Sequence, residues 1–201
     1  MTEQALIISE ACKKRFLPVV KKIESVLEKD NDIPILVAID GMCASGKTTL
    51  GYYLKEYFNC NLFHMDDFFL QNYQRTEERL CEVGGNVDYE RFKTEVITPL
   101  LERKSVMYRP FRCNIRQILD GQKVEFKRLN IIEGSYSQHP YFDDIYSLKV
   151  FTKIPYEKQI ERIRVRNGEK MLEKFISEWI PKENAYFEKY NIEENNMVIL
   201  N

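Results

Sequence analysis

Ile35-Leu36-Val37-Ala38-Ile39-Asp40-Gly41-Met42-Cys43-Ala44-Ser45-Gly46-Lys47-Thr48-Thr49 runs from a β-branched apolar stretch into a glycine-framed turn. The apolar residues read as a strand covered on both faces, as at the centre of a parallel sheet. Gly41 leaves the strand where a side chain would block the turn, and Gly46 lets backbone N–H groups approach an anion. Lys47 has the reach for terminal phosphates, and the Thr48 hydroxyl can hold Mg²⁺. A helix opening at Thr48-Thr49 adds its positive dipole end to the same place. Gly41, Met42, Cys43, Ala44, Ser45, Gly46, Lys47, Thr48 and Thr49 are therefore the expected nucleotide-phosphate cradle. A thiol at Cys43, beside a helix N-terminus, is expected to favour the thiolate.

Working outward, 2–29 carries Leu6, Ile7, Phe16, Leu17, Val20, Ile23, Val26 and Leu27 at near-helical spacing. Pro18 should kink or break that helix, and Asn31-Asp32-Ile33-Pro34 should stop it. Downstream, a helix is expected over 48–58, a strand over 61–65, and a helix over 89–103. Strands are expected over 105–108 and, more weakly, 124–127, with Asp120-Gly121 as the turn between them. Further core strands fall at 128–132 and 148–151. Helices follow at 156–166 and 171–190, the second broken near Pro181, and 197–200 forms a last strand. Strands alternating with helices predict an α/β fold: a P-loop NTPase with a doubly wound, mainly parallel sheet and helices on both faces. The chain reads as a single domain over 1–201, with 1–32 as an N-terminal helical extension.

Thirty basic residues balance 31 acidic ones, which argues against a nucleic-acid partner. Five dispersed cysteines form no Cys-x-x-Cys pair and give no zinc or disulfide framework. Neither a secretory signal nor an apolar run long enough for a bilayer is present, so no membrane partner and a cytoplasmic location are expected. The guanine-nucleotide strings Asp-x-x-Gly and Asn-Lys-x-Asp do not occur, and the chain is short for a motor. A small-molecule kinase is the expectation.

Phosphoryl transfer needs a positioned acceptor hydroxyl, a group to take its proton, and charge neutralisation of the phosphates. Asp66, beside Asp67, and Glu133 both stand at the C-terminal ends of predicted core strands, where open α/β sheets hold ligands. Spacing leaves open which carboxylate acts as base and which as metal ligand. In 161–170, Arg162 and Arg166 share a helix face while Arg164 points away; the pair could close over phosphates as a short helical lid across about 156–180. His64 reads as a packed core histidine and His139 as loop.

The order of 39–48, His64-Met65-Asp66-Asp67-Phe68-Phe69, Gly85-Asn86-Val87-Asp88-Tyr89, Ile132-Glu133-Gly134 and Arg162–Arg166 resembles the uridine kinase and phosphoribulokinase-like family of P-loop kinases. The likeness runs from about Ile33 onward and leaves the N-terminal helix outside it. It implies ATP- and Mg²⁺-dependent phosphorylation of an alcohol, most often the 5′-hydroxyl of a pyrimidine nucleoside. It places Asp66 at the acceptor hydroxyl, Asp88 on the ribose, Tyr108 beside the base, Glu133 near Mg²⁺, and Arg162 and Arg166 in the lid. It also implies that a homo-oligomer could form. The sequence departs from the pattern at two places. Arg112-Cys113-Asn114 stands where a base-reading histidine is usual, and the lid reads Arg166-Asn167-Gly168-Glu169-Lys170. A sugar, a cofactor-precursor alcohol, or a non-catalytic nucleotide-binding regulator are the alternatives.

Overall fold

The structure, a computed structural model, describes residues 9–29, 33–142, 144–196 and 198–200. The expected helical start at Leu6 and Ile7, the Asn31-Asp32 stop and Met197 lie outside these residues. Helix α1 (Glu10–Glu28) is capped by Ser9, whose Oγ accepts the N–H of Cys12 at 3.3 Å. It passes unbroken through Pro18, so the expected break does not occur. Pro18 and Lys14, whose carbonyl loses its donor, are both exposed, so water can substitute there. Phe16, Val19, Val20 and Ile23 meanwhile bury the opposite stripe.

Strand β1 (Ile35–Gly41) is buried at every residue and leads through the loop into α2 (Lys47–Phe58). After β2 (Asn61–His64) the chain makes a tight turn at Met65–Phe68, then α3 (Glu77–Cys81) and α4 (Tyr89–Phe92). A π turn, Lys93–Ile97, joins α4 to α5 (Thr98–Leu101). β3 (Val106–Tyr108), β4 (Phe111–Arg112), β5 (Gln117–Ile118) and β6 (Gln122–Val124) form two small antiparallel pairs, β3 with β6 and β4 with β5. The weak strand expected over 124–127 thus falls slightly earlier, and the β4–β5 hairpin was not expected at all. Its two-residue strands are too short to show a period.

The chain then returns to the core through β7 (Leu129–Glu133) and β8 (Leu148–Thr152). Helices α6 (Tyr156–Asn167) and α7 (Glu169–Lys174), a second π turn Phe175–Trp179, α8 (Ile180–Lys189) and β9 (Val198–Leu200) complete it. No break occurs at Pro181. Both π turns come just before a proline, Pro99 or Pro181, and a widened turn gives the ring room where an α turn would crowd the preceding carbonyls.

The main sheet has the order β2-β7-β1-β8-β9 and every pairing is parallel. Alternation along the strands divides the core in two. Ile35, Val37 and Ile39 of β1 pack with Leu129, Ile131, Leu148 and Val150 against α1 and α2. Leu36, Ile132 and Phe151 face the other way, onto Phe92, Val96 and Tyr186. This is the doubly wound α/β arrangement, with helices on both faces. The strand order reverses around β1, so the carboxyl ends of β1, β2 and β7 open onto one crevice beside the loop.

Candidate active site

Three helices and a strand hold the loop that leaves β1. Gly41 has φ +133°, and a Cβ there would lie 2.1 Å from the carbonyl oxygen of Thr152, so no other residue fits against β8. Gly46 has φ +103° with open space where its side chain would be, which leaves the approach to the loop N–H groups clear. Cys43 is gripped at both ends: its N–H donates to Glu183 Oε2 of α8 at 2.9 Å, and its carbonyl accepts from Gln159 Nε2 of α6 at 3.1 Å. Arg162 of α6 donates to the carbonyl of Ala44 at 3.0 Å, and Arg15 of α1 to that of Ser45 at 3.3 Å. The Ser45 hydroxyl bonds Thr152 of β8. The Lys47 ammonium donates back to the carbonyls of Gly41 and Met42, at 2.6 and 3.0 Å. It therefore sits beneath the loop at the head of α2.

Glu133 ends β7 beside this cradle and is buried. One oxygen lies 3.4 Å from the Thr48 hydroxyl and the other 2.5 Å from His64 Nδ1. Gly51, one turn after Lys47, leaves room beside it, since a Cβ there would crowd Leu62 Cδ1 at 3.0 Å and Glu133 Cγ at 3.3 Å. His64 is accordingly not a packed core histidine; it orients the carboxylate that faces Thr48. Burial works to lower its pKa, but the hydrogen bond and charge of Glu133, with Asp67 and Asp66, outweigh that and the net effect is a rise.

Asp66 follows β2 and opens onto the cleft's solvent, walled by protein on its other sides. Desolvation by those walls, then the charge of Glu133, push its carboxyl up to about 6, against the pull of Lys47. Asp67 turns elsewhere, accepting the Tyr108 hydroxyl at 2.6 Å.

The cleft containing these groups has a volume of about 820 Å³, a size suited to small ligands. Of the sequence-predicted residues, Cys43, Ala44, Gly46, Lys47, Thr48, Thr49, Asp66, Glu133, Arg162 and Arg166 line it. Arg166 is exposed with its guanidinium 5.9 Å from the Phe175 ring, while Arg164 pairs with Glu169 away from the cleft. Asp88 and Tyr108 do not line it. Asp88 is buried, caps α4 through the N–H of Arg91 at 3.0 Å, and pairs with that guanidinium at 3.6 Å. The buried Tyr108 bonds Asp67 and accepts the N–H of His64 at 3.1 Å.

The expected Cys43 thiolate is overturned. Burial, followed by the nearby Glu183 charge, pushes the thiol up to about 12. Helix α8 brings a carboxylate to the place where the helix dipole alone would have favoured ionisation.

Sequence reasoning missed Glu183, Gln159, Arg15 and Asp40. Asp40 is fully buried and accepts from the N–H groups of Gly41 and Gln138 and from the Tyr186 hydroxyl, at 2.7, 3.1 and 2.9 Å. Its place just before Gly41 was the only local signal. Burial pushes its carboxyl up to about 6 despite the counter-pull of Lys47.

Thr48 and Glu133 supply two oxygen donors facing one space. Among the described residues no cluster of three or more His, Cys, Asp or Glu could hold a metal alone. That donor set fits Mg²⁺, which takes one or two protein oxygens and completes its shell with phosphates and water. No helix among the described residues is long and apolar enough to cross a membrane.

No protein-family model matches the chain, and no curated protein does. Solved structures do match. A possible uridine kinase from Bacillus stearothermophilus superposes with a TM-score of 0.73 at 19% identity, over 94% of this chain and 98% of that one. A candidate fructose transport system kinase from Silicibacter sp. TM1040 gives 0.74 at 20%, over 92% and 98%. D-glycerate 3-kinase from Cryptococcus neoformans var. grubii gives 0.63 at 12%, over 87% and 88%. At these identities the likeness is one of architecture: the chain has the fold of the uridine kinase-like P-loop kinases.

Proposed function

We propose that the protein is an ATP-dependent kinase of a small-molecule alcohol. The observation that carries this reading is that Asp66 faces the same cleft as Lys47, Thr48, Glu133, Arg162 and Arg166. A nucleotide-binding module has need of the loop but not of a second, solvent-facing carboxylate with a raised pKa.

The loop N–H groups and the α2 dipole bind the donor's phosphates, and Lys47 exchanges its two loop carbonyls for them. Thr48 and Glu133 would hold Mg²⁺, which would neutralise phosphate charge. Asp66 takes the proton of the acceptor hydroxyl as its oxygen bonds the γ-phosphorus and the bond to the ADP oxygen breaks. Arg162 and Arg166 stabilise the transferred charge from a lid over about 156–180. We read 1–201 as one such domain, with 1–32 as an N-terminal extension that contains α1, acting in the cytoplasm.

The family resemblance favours the 5′-hydroxyl of uridine or cytidine as acceptor. The two residues it assigns to ribose and base, Asp88 and Tyr108, are engaged with Arg91 and Asp67. We assign them to supporting the site, which leaves acceptor recognition to the residues lining the cleft. An ADP-release assay across nucleosides, sugars and hydroxy acids tests the proposal. ATP binding without product from any alcohol, and an Asp66→Asn variant indistinguishable from wild type, would point to a non-catalytic regulator instead.

A further inference from the structure

Besides Arg166 of the lid, two arginines, Arg75 and Arg116, line the cleft without donating to the phosphate loop. Arg116 lies in the turn between β4 and β5, and its Nη1 donates to Asn72 Oδ1 at 2.9 Å. Arg75 ends the turn Asn72–Gln74, its own N–H bonding the carbonyl of Asn72 at 3.3 Å. The two residues therefore meet at one asparagine, Arg116 through its guanidinium and Arg75 through its backbone N–H. Arg116 has φ +53°, a left-handed conformation that suits glycine or asparagine better than a long side chain. The hairpin holds that strain with the side chain aimed at Asn72. Cys113, at the start of the same turn, lines the same cleft as Asp66. Partial burial raises its thiol pKa, Asp66 and Asp67 raise it further, and Arg75 and Arg116 lower it.

Neither arginine forms an ion pair among the described residues; Glu178, which also lines the cleft and feels the Arg75 charge, pairs with Lys182 at 2.8 Å. The donor's phosphates have their own cations in Lys47, Arg162 and Arg166. A neutral alcohol at Asp66 needs hydrogen-bonding groups but no second pair of positive charges. An anionic acceptor does, because the donor's phosphates repel it and its orientation must still be fixed. Guanidinium forks meet both needs, since they match carboxylate and phosphate oxygens two at a time.

We propose that the acceptor alcohol carries an anionic group, a carboxylate or a phosphate ester, held by Arg75 and Arg116 while its hydroxyl faces Asp66. This rests on the kinase reading and narrows its substrate class.

The test is the ADP-release assay with wild-type protein and Mg·ATP on matched pairs. Hydroxy acids and sugar monophosphates are set against the corresponding neutral polyols and sugars, with uridine and cytidine as neutral nucleosides. An anionic acceptor should exceed its neutral counterpart at least tenfold in kcat/KM, and the better series tells carboxylate from phosphate. Arg75→Gln and Arg116→Gln should each raise KM for that acceptor about tenfold, with KM for ATP and the melting temperature unchanged, and Arg116→Lys should recover part of the loss. Turnover confined to neutral acceptors, or an acceptor KM indifferent to both variants, overturns this inference alone. ATP binding with no product from any acceptor overturns the kinase reading and this inference together.

Discussion

Glu183, on the last helix of the chain, accepts the backbone N–H of Cys43 in the phosphate loop at 2.9 Å and the Ser135 hydroxyl at 2.5 Å. A single carboxylate thus joins α8, the loop after β1 and the segment after β7. Glu183→Ala leaves the buried Cys43 N–H without an acceptor, which should cost about 1–3 kcal/mol in urea unfolding. It should also raise KM for ATP several-fold by loosening the loop. Glu183→Gln keeps one oxygen for Cys43 and an amide that can donate to Ser135, so it should stay close to wild type in both. Equal effects from Ala and Gln would mean that the charge matters and not the hydrogen bond.

Lys47 donates to Gly41 and Met42 from beneath the loop and is almost fully buried. Its pre-placement is the reason to expect a large catalytic loss on removal. Lys47→Met should lower kcat by about 10²–10³, the usual scale for losing one group that stabilises transition-state charge. Calorimetry should show weakened ATP binding as well. Retained turnover in this variant would place the donor phosphates elsewhere.

What was legible from sequence was local. The strand–loop–helix unit carries its apolar run, glycines and lysine within fifteen residues, and Asp66 and Glu133 follow because each ends a recognisable strand. Arg162 and Arg166 could be placed by helical spacing alone. Residues whose role comes from contact between distant segments gave no such signal. Glu183 lies 140 positions from Cys43, Gln159 lies 116, and Arg15 reaches Ser45 from a helix outside the family pattern. His64 looked like core because its strand is apolar; only the β2–β7 register, which sets His64 beside Glu133, reveals its task. Pro18 and Pro181 looked like breaks because local propensity was the only guide. Burial of the α1 stripe overrides the first, and a π turn absorbs the second.

Cys43 provides a test in which motif and tertiary structure disagree. The motif predicts a reactive thiol, whereas burial and Glu183 push it up to about 12. Brief iodoacetamide treatment of the native protein at pH 7.5, read by peptide mass spectrometry, should label the exposed Cys81 and Cys113 and leave Cys43 intact. Glu183→Gln should lower the Cys43 pKa without making it the fastest thiol, because burial remains the larger cause. Preferential labelling of Cys43 in wild type would contradict the packing described.

Asp66 gives the pH dependence. Its carboxyl is pushed up to about 6, first by desolvation and second by Glu133. A base acts only when ionised, so kcat/KM should rise through about pH 6 and level off above it, falling about tenfold per pH unit on the acid side. Glu133→Gln removes the like charge and should move this limb to lower pH, although loss of the proposed Mg²⁺ ligand should lower the plateau. The stability sign runs the other way. A carboxyl whose folded pKa exceeds its ordinary value of 3.8 favours the fold when protonated. That contribution is complete below the ordinary value and lost as pH climbs through about 6. Asp66→Asn should therefore match wild type in melting temperature at pH 4, exceed it at pH 7.5, and lack both the acid limb and the activity. A wild-type limb near pH 4, or an Asn variant no more stable at pH 7.5, would show that the cleft walls leave Asp66 as well hydrated as a surface carboxylate.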